Sequence, residues 1–301
     1  MRLAVTGGTG FVGAHVIDAA IAAGHEVNAL TRRDQPPRAG LTWIGGNLED
    51  REALKRLVEN ADAVIHVAGV INAPDAAGFE AGNVAGTLAM LAAATAAGIH
   101  RFVHVSSLAA REPQLSLYGA SKARAEDLVE SSGLEWAIVR PPAVYGPGDR
   151  ETLELFKMAR RGFVLLPPKG RVSLIHVDDL ARLLLALTQR GVAKRLLIEP
   201  DDGRPDGWSH KEFAQALGRA VGRRNVSLSA PRPLLRVGAF LDGLFRRGRA
   251  KLTQDRAAYF SHPDWVAHPH NAPPSGLWHP RIETHQGLAA TAAWYREQGW
   301  L

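Results

Sequence analysis

The segment Thr6-Gly7-Gly8-Thr9-Gly10-Phe11-Val12-Gly13 follows the apolar run Leu3–Thr6 directly and opens a helical pattern over Phe11–Ala23. Glycines at positions 7, 10 and 13 suit a tight turn, a close backbone approach to a ligand, and close packing of the helix on the strand. The helix then starts with free N–H groups and the positive end of its dipole, an arrangement suited to a pyrophosphate. A glycine pattern alone is common. Bracketed by strand and helix, it predicts a dinucleotide site and a parallel α/β sheet.

The rhythm that follows agrees. Glu26–Thr31, Leu41–Ile44, Ala63–Val67, Arg101–Ser106 and Leu134–Arg140 read as strands, most of them nearly continuous apolar runs. Such runs are expected of strands buried on both faces. Asp50–Asn60, Phe79–Ala97 and Tyr118–Ser131 read as helices between them. Strand–helix alternation predicts a doubly wound, Rossmann-type parallel sheet.

After Pro141-Pro142 the rhythm changes. Helical stretches Glu151–Arg161 and Asp178–Gln189 flank the apolar run Val172–Val177, and Lys194–Ile198 reads as a late strand. Helical patterns at His210–Val221, Pro231–Phe245, Leu252–Phe260 and Thr284–Gln298 follow. The expected layout is a dinucleotide-binding domain over residues 1–145, to which 172–200 adds a strand and helix. A smaller, mainly helical substrate lobe takes up most of residues 146–301.

Composition limits the alternatives. The 301 residues are 46% hydrophobic and 22% charged, the mix of a globular protein. The absence of cysteine excludes disulfides, thiolate catalysis and Cys-ligated zinc, and suits the cytoplasm. No apolar run reaches the ~18–20 residues of a membrane span, and the early glycines leave no room for a signal peptide. Net charge is +6, with nine Lys/Arg against five Asp/Glu in residues 231–301, including Arg246, Arg247, Arg249 and Lys251. No nucleic-acid motif accompanies that excess, so no nucleic-acid partner is expected. His262, His268 and His270 cluster in a Pro-rich stretch without a metal site's spacing, so no metal is expected. His66, His104 and His176 lie on apolar strands and read as hydrogen-bonded core residues, and Asp178-Asp179 reads as a helix N-cap.

Cofactor choice turns on the end of the second strand, Leu30-Thr31-Arg32-Arg33-Asp34. An acidic residue there binds the ribose 2′-hydroxyl of NAD, whereas arginine suits the 2′-phosphate of NADP. Arg32 and Arg33 therefore predict NADP(H). NAD remains the alternative if the arginines are surface charge and Asp34 binds the ribose. Asn47-Leu48 and Ala68-Gly69 follow the third and fourth strands, where an amide can reach adenine and small residues leave room for the cofactor. Both also fit ordinary turn chemistry.

Tyr118-Gly119-Ala120-Ser121-Lys122 puts Tyr and Lys at i and i+4, on one helix face. An ammonium beside a phenol lowers the phenol pKa from ~10 and provides an acid/base for a carbonyl/alcohol couple. Ser107 ends the fifth strand, placed to hydrogen-bond the reacting oxygen, with Ser106 as its competitor.

These segments resemble the extended short-chain dehydrogenase/reductases of the NAD-dependent epimerase/dehydratase superfamily. The likeness also includes Asp62–Gly69, Asn83–Thr87, Arg140–Asp149, Ile175–Asp179 and a C-terminal lobe from Leu277 to Tyr295. It implies Tyr118 as acid/base, Lys122 as its activator and ribose ligand, and Ser107 as the ligand of the substrate oxygen. It also implies a Pro141–Val144 loop beside the nicotinamide, so that Pro141, Ala143 and Val144 join the cofactor-binding set. A homodimer through the helices flanking the sheet is a further implication.

Three functions fit. The first is an NADP(H)-dependent oxidoreductase acting on a small-molecule carbonyl or alcohol. The second is a nucleotide-sugar epimerase or dehydratase with tightly bound NAD. Sugar-nucleotide relatives carry an arginine before the Val177-Asp178-Asp179 segment, and Val172 holds that slot here, with Arg171 beside it. The third is a non-catalytic dinucleotide sensor or accessory subunit, a class that often lacks the Tyr/Lys pair retained here.

Overall fold

The computed structural model describes residues 1–167, 170–189, 191–192, 194–229, 259 and 262–301. The helix expected at Pro231–Phe245, the basic run Arg246–Lys251, and all of Leu252–Phe260 except Tyr259 lie outside them.

Seven parallel strands build the main sheet: β1 (Arg2–Thr6), β2 (Glu26–Thr31), β3 (Leu41–Gly45), β4 (Ala63–His66), β5 (Arg101–Val105), β6 (Glu135–Val139) and β11 (Leu196–Ile198). Their order is β11-β6-β5-β4-β1-β2-β3. The order reverses between β1 and β4, and ligands of open parallel sheets bind outside the strand ends at such a switch point. The apolar runs explain the strands: every residue of β4 and β5 is buried. Helices α1 (Phe11–Ala22), α2 (Arg51–Val58), α4 (Gly86–Ala96) and α5 (Leu117–Glu130) connect the strands. Asp50 caps α2, accepting from the Ala53 N–H at 3.0 Å, while Glu52 in its first turn and Lys55 and Arg56 in its last suit the helix dipole. One face of the sheet packs Val64, Phe102 and Ile138 against Leu54, Met90, Leu91 and Val129.

The single helix expected over Phe79–Ala97 is divided. It comprises a short α3 (Ala76–Phe79), a π-helical turn over Glu80–Ala85, and α4. Two contacts account for the widened turn. Gly82 makes room for Val70, whose Cγ2 would lie 2.2 Å from a Cβ there, and Asn83 bonds both backbone groups of Val70.

The described chain divides into two units. Met1–Pro141, Asp178–Glu199 and Pro273–Trp278 form the first; Pro142–Val177, Pro200–Ala272 and His279–Leu301 form the second. In the second, α6 (Leu153–Arg161), α8 (His210–Ala220) and α9 (Thr284–Glu297) enclose a core of Phe156, Val164, Trp208, Phe213, Leu217, Leu288 and Tyr295. A Ser209/Glu212 capping box starts α8, and Gly162 at φ +96° ends α6. Short strands join these helices: β7 (Ala143–Tyr145) with β10 (Leu174–His176), β8 (Phe163–Leu166) with β13 (Val226–Ser229), and β9 (Arg171–Val172) between β12 (Trp208–Ser209) and β14 (Asp264–Trp265). The run Val172–Val177 therefore contributes to two strands. Ser173 separates them, its N–H bonded to the Trp265 carbonyl and its hydroxyl to Asp201. Helix α7 (Val177–Ala186) starts one residue before Asp178, so Asp178 and Asp179 stand in its first turn rather than at its N-cap. There Asp178 meets His15 at 2.6 Å and Asp179 pairs with Arg182.

Candidate active site

The glycine loop forms a cradle closed to side chains. Gly7 has φ +73°, and a Cβ on it would lie 2.7 Å from the Ala68 nitrogen. A Cβ on Gly13 would lie 2.1 Å from the Gly7 carbonyl oxygen, whereas one on Gly10 would lie 3.2 Å from it. Gly10 donates its N–H to Gly7 at 2.9 Å and starts α1 with no side-chain cap. The first-turn N–H groups of Phe11 and Val12 therefore meet no capping side chain, and exposed Thr9 borders them. Uncapped donors at a positive dipole end, beside a backbone surface that admits no Cβ, fit a dinucleotide pyrophosphate.

Arg32 and Arg33 are both exposed past the end of β2, and among the described residues neither guanidinium has an ion-pair partner. Their backbone is held by Thr31, whose hydroxyl donates to the Arg33 carbonyl at 2.6 Å. Asn47 uses its carbonyl oxygen in the turn before α2, accepting from Glu49 N (2.8 Å) and Asp50 N (3.1 Å). This is the ordinary turn chemistry the sequence allowed, and it leaves the amide N–H₂ unused there. Leu48 packs over Gly86. Ala68 donates its N–H to Thr6 at 3.1 Å, and Gly69 faces Asn83 and Lys122.

Beneath this surface runs a directed chain of buried hydrogen bonds. The Thr87 hydroxyl donates to the Asn83 carbonyl at 2.6 Å, so it accepts from Nε2–H of His66 at 3.2 Å. His66 Nδ1 then accepts from the Thr6 hydroxyl at 2.8 Å, and Thr6 in turn accepts from Ala68. Burial, and secondarily the charge of Lys122, holds the His66 pKa down to about 3, so the ring stays neutral. His104 stacks on it at 5.6 Å. Contrary to the sequence expectation, both of its buried ring nitrogens lack a hydrogen-bond partner among the described residues.

The Tyr118/Lys122 face is assembled by three devices. Ser116 caps α5, accepting from Gly119 at 2.9 Å. Gly119 lets the helix settle on the 3₁₀ turn Leu108–Arg111, since a Cβ there would lie 2.6 Å from the Ala109 carbonyl oxygen. Asn83 then ties the helix to the β4 loop: its amide accepts from Val70 N (2.6 Å) and donates to Val70 O (3.0 Å) and Ser121 Oγ (2.8 Å). Lys122 is 4% exposed and donates from Nζ to the Val105 carbonyl at 2.8 Å. Burial lowers its pKa to about 8, partly offset by Glu126. Tyr118 is half-buried, its ring 6.2 Å from that of Phe79. Ser107 is half-buried at the start of the 3₁₀ turn and accepts from Ala109 N at 3.2 Å; Ser106 is buried.

One cluster was not anticipated from the sequence. Arg140 grips Glu126 through Nε (2.9 Å) and Nη2 (2.5 Å) and approaches Glu199 at 3.6 Å, while Arg111 reaches Glu199 at 3.4 Å. The cluster joins the Ser107 turn, the Tyr118 helix and the ends of β6 and β11. A charge closing the apolar run Trp136–Val139, at the head of the Arg140–Asp149 segment, was its cue in the sequence. Pro141 accepts from Leu108 N at 3.1 Å, placing it beside the Ser107 turn. Ala143 and Val144 belong not to a loop but to β7 of the second unit, in register with Leu174 and Ile175. Arg171, adjacent to the slot held by Val172, donates to the backbone carbonyls of Asp206 and Gly207. His268 and His270 stack at 5.0 Å, and among the described residues no group of three or more His, Asp or Glu is arranged to hold a metal.

A reversing parallel sheet with a glycine cradle at its switch point defines a dinucleotide-binding α/β protein. Residues 3–197 match the NAD-dependent epimerase/dehydratase family, and the chain belongs to it. It is 39% identical to a ceramide reductase of Caulobacter vibrioides over 99% of this chain and 96% of that one. It is 29% identical to a 2-alkyl-3-oxoalkanoate reductase of Stenotrophomonas maltophilia, over 89% and 91% of the two chains. In fold it is similar to MoeE5, solved with UDP-glucose and NAD, with a TM-score of 0.72, 24% identity and 99% of both chains covered. Family and relatives together make the protein an NAD(P)-dependent oxidoreductase. No helix among the described residues is long and apolar enough to cross a membrane.

Proposed function

We propose that the protein is an NADP(H)-dependent reductase interconverting a carbonyl and an alcohol on a lipid-class substrate. The observation that carries the reading is the α5 face, with buried Lys122 anchored on Val105 one turn beyond half-buried Tyr118. In this reading the cradle from Gly7 to Gly13 holds the pyrophosphate, and Arg32 and Arg33 hold the 2′-phosphate. Asn47 and Leu48 border the adenine, Ala68 and Gly69 border the nicotinamide ribose, and Pro141 borders the nicotinamide. A reduced cofactor held there would supply hydride, two electrons together with one hydrogen, to the carbonyl carbon. Tyr118 gives its phenolic proton to the substrate oxygen, and the Lys122 ammonium stabilises the phenolate left behind. Ser107 donates a hydrogen bond to the same oxygen.

Ceramide and alkyl-substituted oxoalkanoates, named for two relatives, both carry apolar chains, which supports a lipid-class substrate. The use of Arg171 on backbone carbonyls counts against a nucleotide sugar.

The test is NADPH consumption with a panel of long-chain oxo compounds. Tyr118→Phe should lower kcat on the order of 10²–10⁴-fold. Undiminished turnover in that variant would remove Tyr118 from the mechanism, and retained NAD without net turnover would favour an epimerase. Arg32→Ala with Arg33→Ala should raise KM for NADPH while sparing NADH.

A further inference from the structure

In the second unit, β8 and β13 form a parallel ribbon with two unlike faces. Side chains alternate along a strand, so Val164 and Leu166 share the inner face. Val164 is fully buried in the second core, and Leu166 packs against it. The outer face sets Phe163 opposite Val226 and Leu165 opposite Leu228. Leu165, Val226 and Leu228 are 41, 63 and 46% exposed. A ribbon with one solvated face ordinarily carries polar residues there; this one carries four apolar residues in register.

Positive charge collects at one end of that face. Exposed Arg160 and Arg161 close α6, and exposed Arg223 and Arg224 lead into β13. The two pairs are locked together: Arg223 donates to the Arg160 carbonyl at 2.9 Å, and Val226 N donates to Gly162 at 3.0 Å. Stretches 155–166 and 213–229 contain six Lys/Arg and no Asp or Glu. Among the described residues none of the four arginines forms an ion pair with a carboxylate. An apolar strip beside unneutralised arginine is the composition that binds a lipid headgroup boundary.

We propose that this ribbon face docks on the surface of an anionic lipid bilayer. Leu165, Val226 and Leu228 enter the boundary between headgroups and acyl chains, and Arg160, Arg161, Arg223 and Arg224 meet lipid phosphates. The three exposed side chains of the patch, Leu165, Val226 and Leu228, are aliphatic, which favours lipid over nucleic acid, whose bases need aromatic or planar stacking surfaces. The inference is independent of the catalytic reading, and it would bring the protein to the phase in which a lipid substrate resides.

The whole protein is floated with vesicles of phosphatidylcholine alone and with about 30 mol% phosphatidylglycerol. Partitioning should be at least about tenfold stronger with the anionic vesicles and should weaken with salt. Arg223→Gln with Arg224→Gln should lower it on the order of thirtyfold. Leu165→Ser with Leu228→Ser should also lower it by about tenfold or more, with Tm and NADPH binding retained because both sites are exposed. Lys55→Gln with Arg56→Gln removes the same charge from α2 and should leave partitioning unchanged. The proposal is overturned by equal or absent binding to both vesicles, or by the α2 control falling as far as the Arg223/Arg224 pair. It is also overturned if the ribbon variants abolish nucleic-acid binding or self-association while vesicles are not bound at all.

Discussion

Replacing His104 with leucine tests the buried layer beneath the site most directly. The ring is fully buried, and a neutral imidazole there holds one donor and one acceptor, neither paired among the described residues. Each unsatisfied buried polar group costs roughly 1–3 kcal/mol, whereas an apolar side chain of similar volume costs nothing of that kind. Allowing for imperfect packing, His104→Leu should stabilise the protein by about 1–3 kcal/mol at pH 7 in urea unfolding. The pH dependence gives a second, independent number. Burial first, then Lys122 and His66, pushes the His104 pKa well below 6.5. Below pH ~6 the unfolded chain therefore binds a proton that the folded chain refuses. The neutral ring's contribution is intact above pH ~6.5 and is lost as pH falls, at about 1.4 kcal/mol per pH unit. The variant should lose that slope, so wild type and variant diverge by about 1.4 kcal/mol between pH 6 and pH 5. A variant less stable than wild type by more than about 1 kcal/mol at pH 7, or one with an unchanged pH slope, would refute the reasoning.

Further predictions concern the cradle and the charges around it. Gly13→Ala forces a Cβ to within 2.1 Å of the Gly7 carbonyl and should cost at least about 1–3 kcal/mol in urea unfolding while abolishing dinucleotide binding. Gly10→Ala, with its 3.2 Å contact, should keep most of both, and calorimetric titration with NADPH separates the two. Arg140→Ala leaves Glu126 and Glu199 buried without their shared partner and should cost about 3–5 kcal/mol in urea unfolding, which Arg140→Lys restores only in part because the bidentate grip is lost. Lys122, lowered to about 8 in the fold, refuses its charge between pH 8 and its unfolded value near 10.5, so stability should rise by about 3 kcal/mol across that window. Lys122→Met should lack this rise when unfolding is compared at pH 8 and pH 10.

Much of the first unit was legible because its elements carry strong local signals. Strands buried on both faces read as apolar runs, and β2 falls on the expected Glu26–Thr31. The helix read over Tyr118–Ser131 spans Leu117–Glu130. The helix over Phe79–Ala97 was misread as continuous because Ala-rich periodicity does not register a side chain such as Val70 arriving from another loop. The short strands β7, β8, β9, β12, β13 and β14 were missed for a related reason. Two to four residues are too few for a period, and their partners lie far along the chain.

The order of residues by itself determined which runs become buried strands, where the glycine turn falls and the spacing of Tyr118 and Lys122, since each is a pattern written in neighbouring residues. Only the tertiary structure decided how Lys122 is held and its pKa lowered, that Asn83 ties the β4 loop to α5, that His66 is locked neutral while His104 is left without partners, and that arginines from α6 and the approach to β13 meet beside an apolar ribbon. Those properties arise from burial and from contacts between segments tens of residues apart, and no local pattern encodes which distant group will complete a hydrogen bond or leave a charge uncovered.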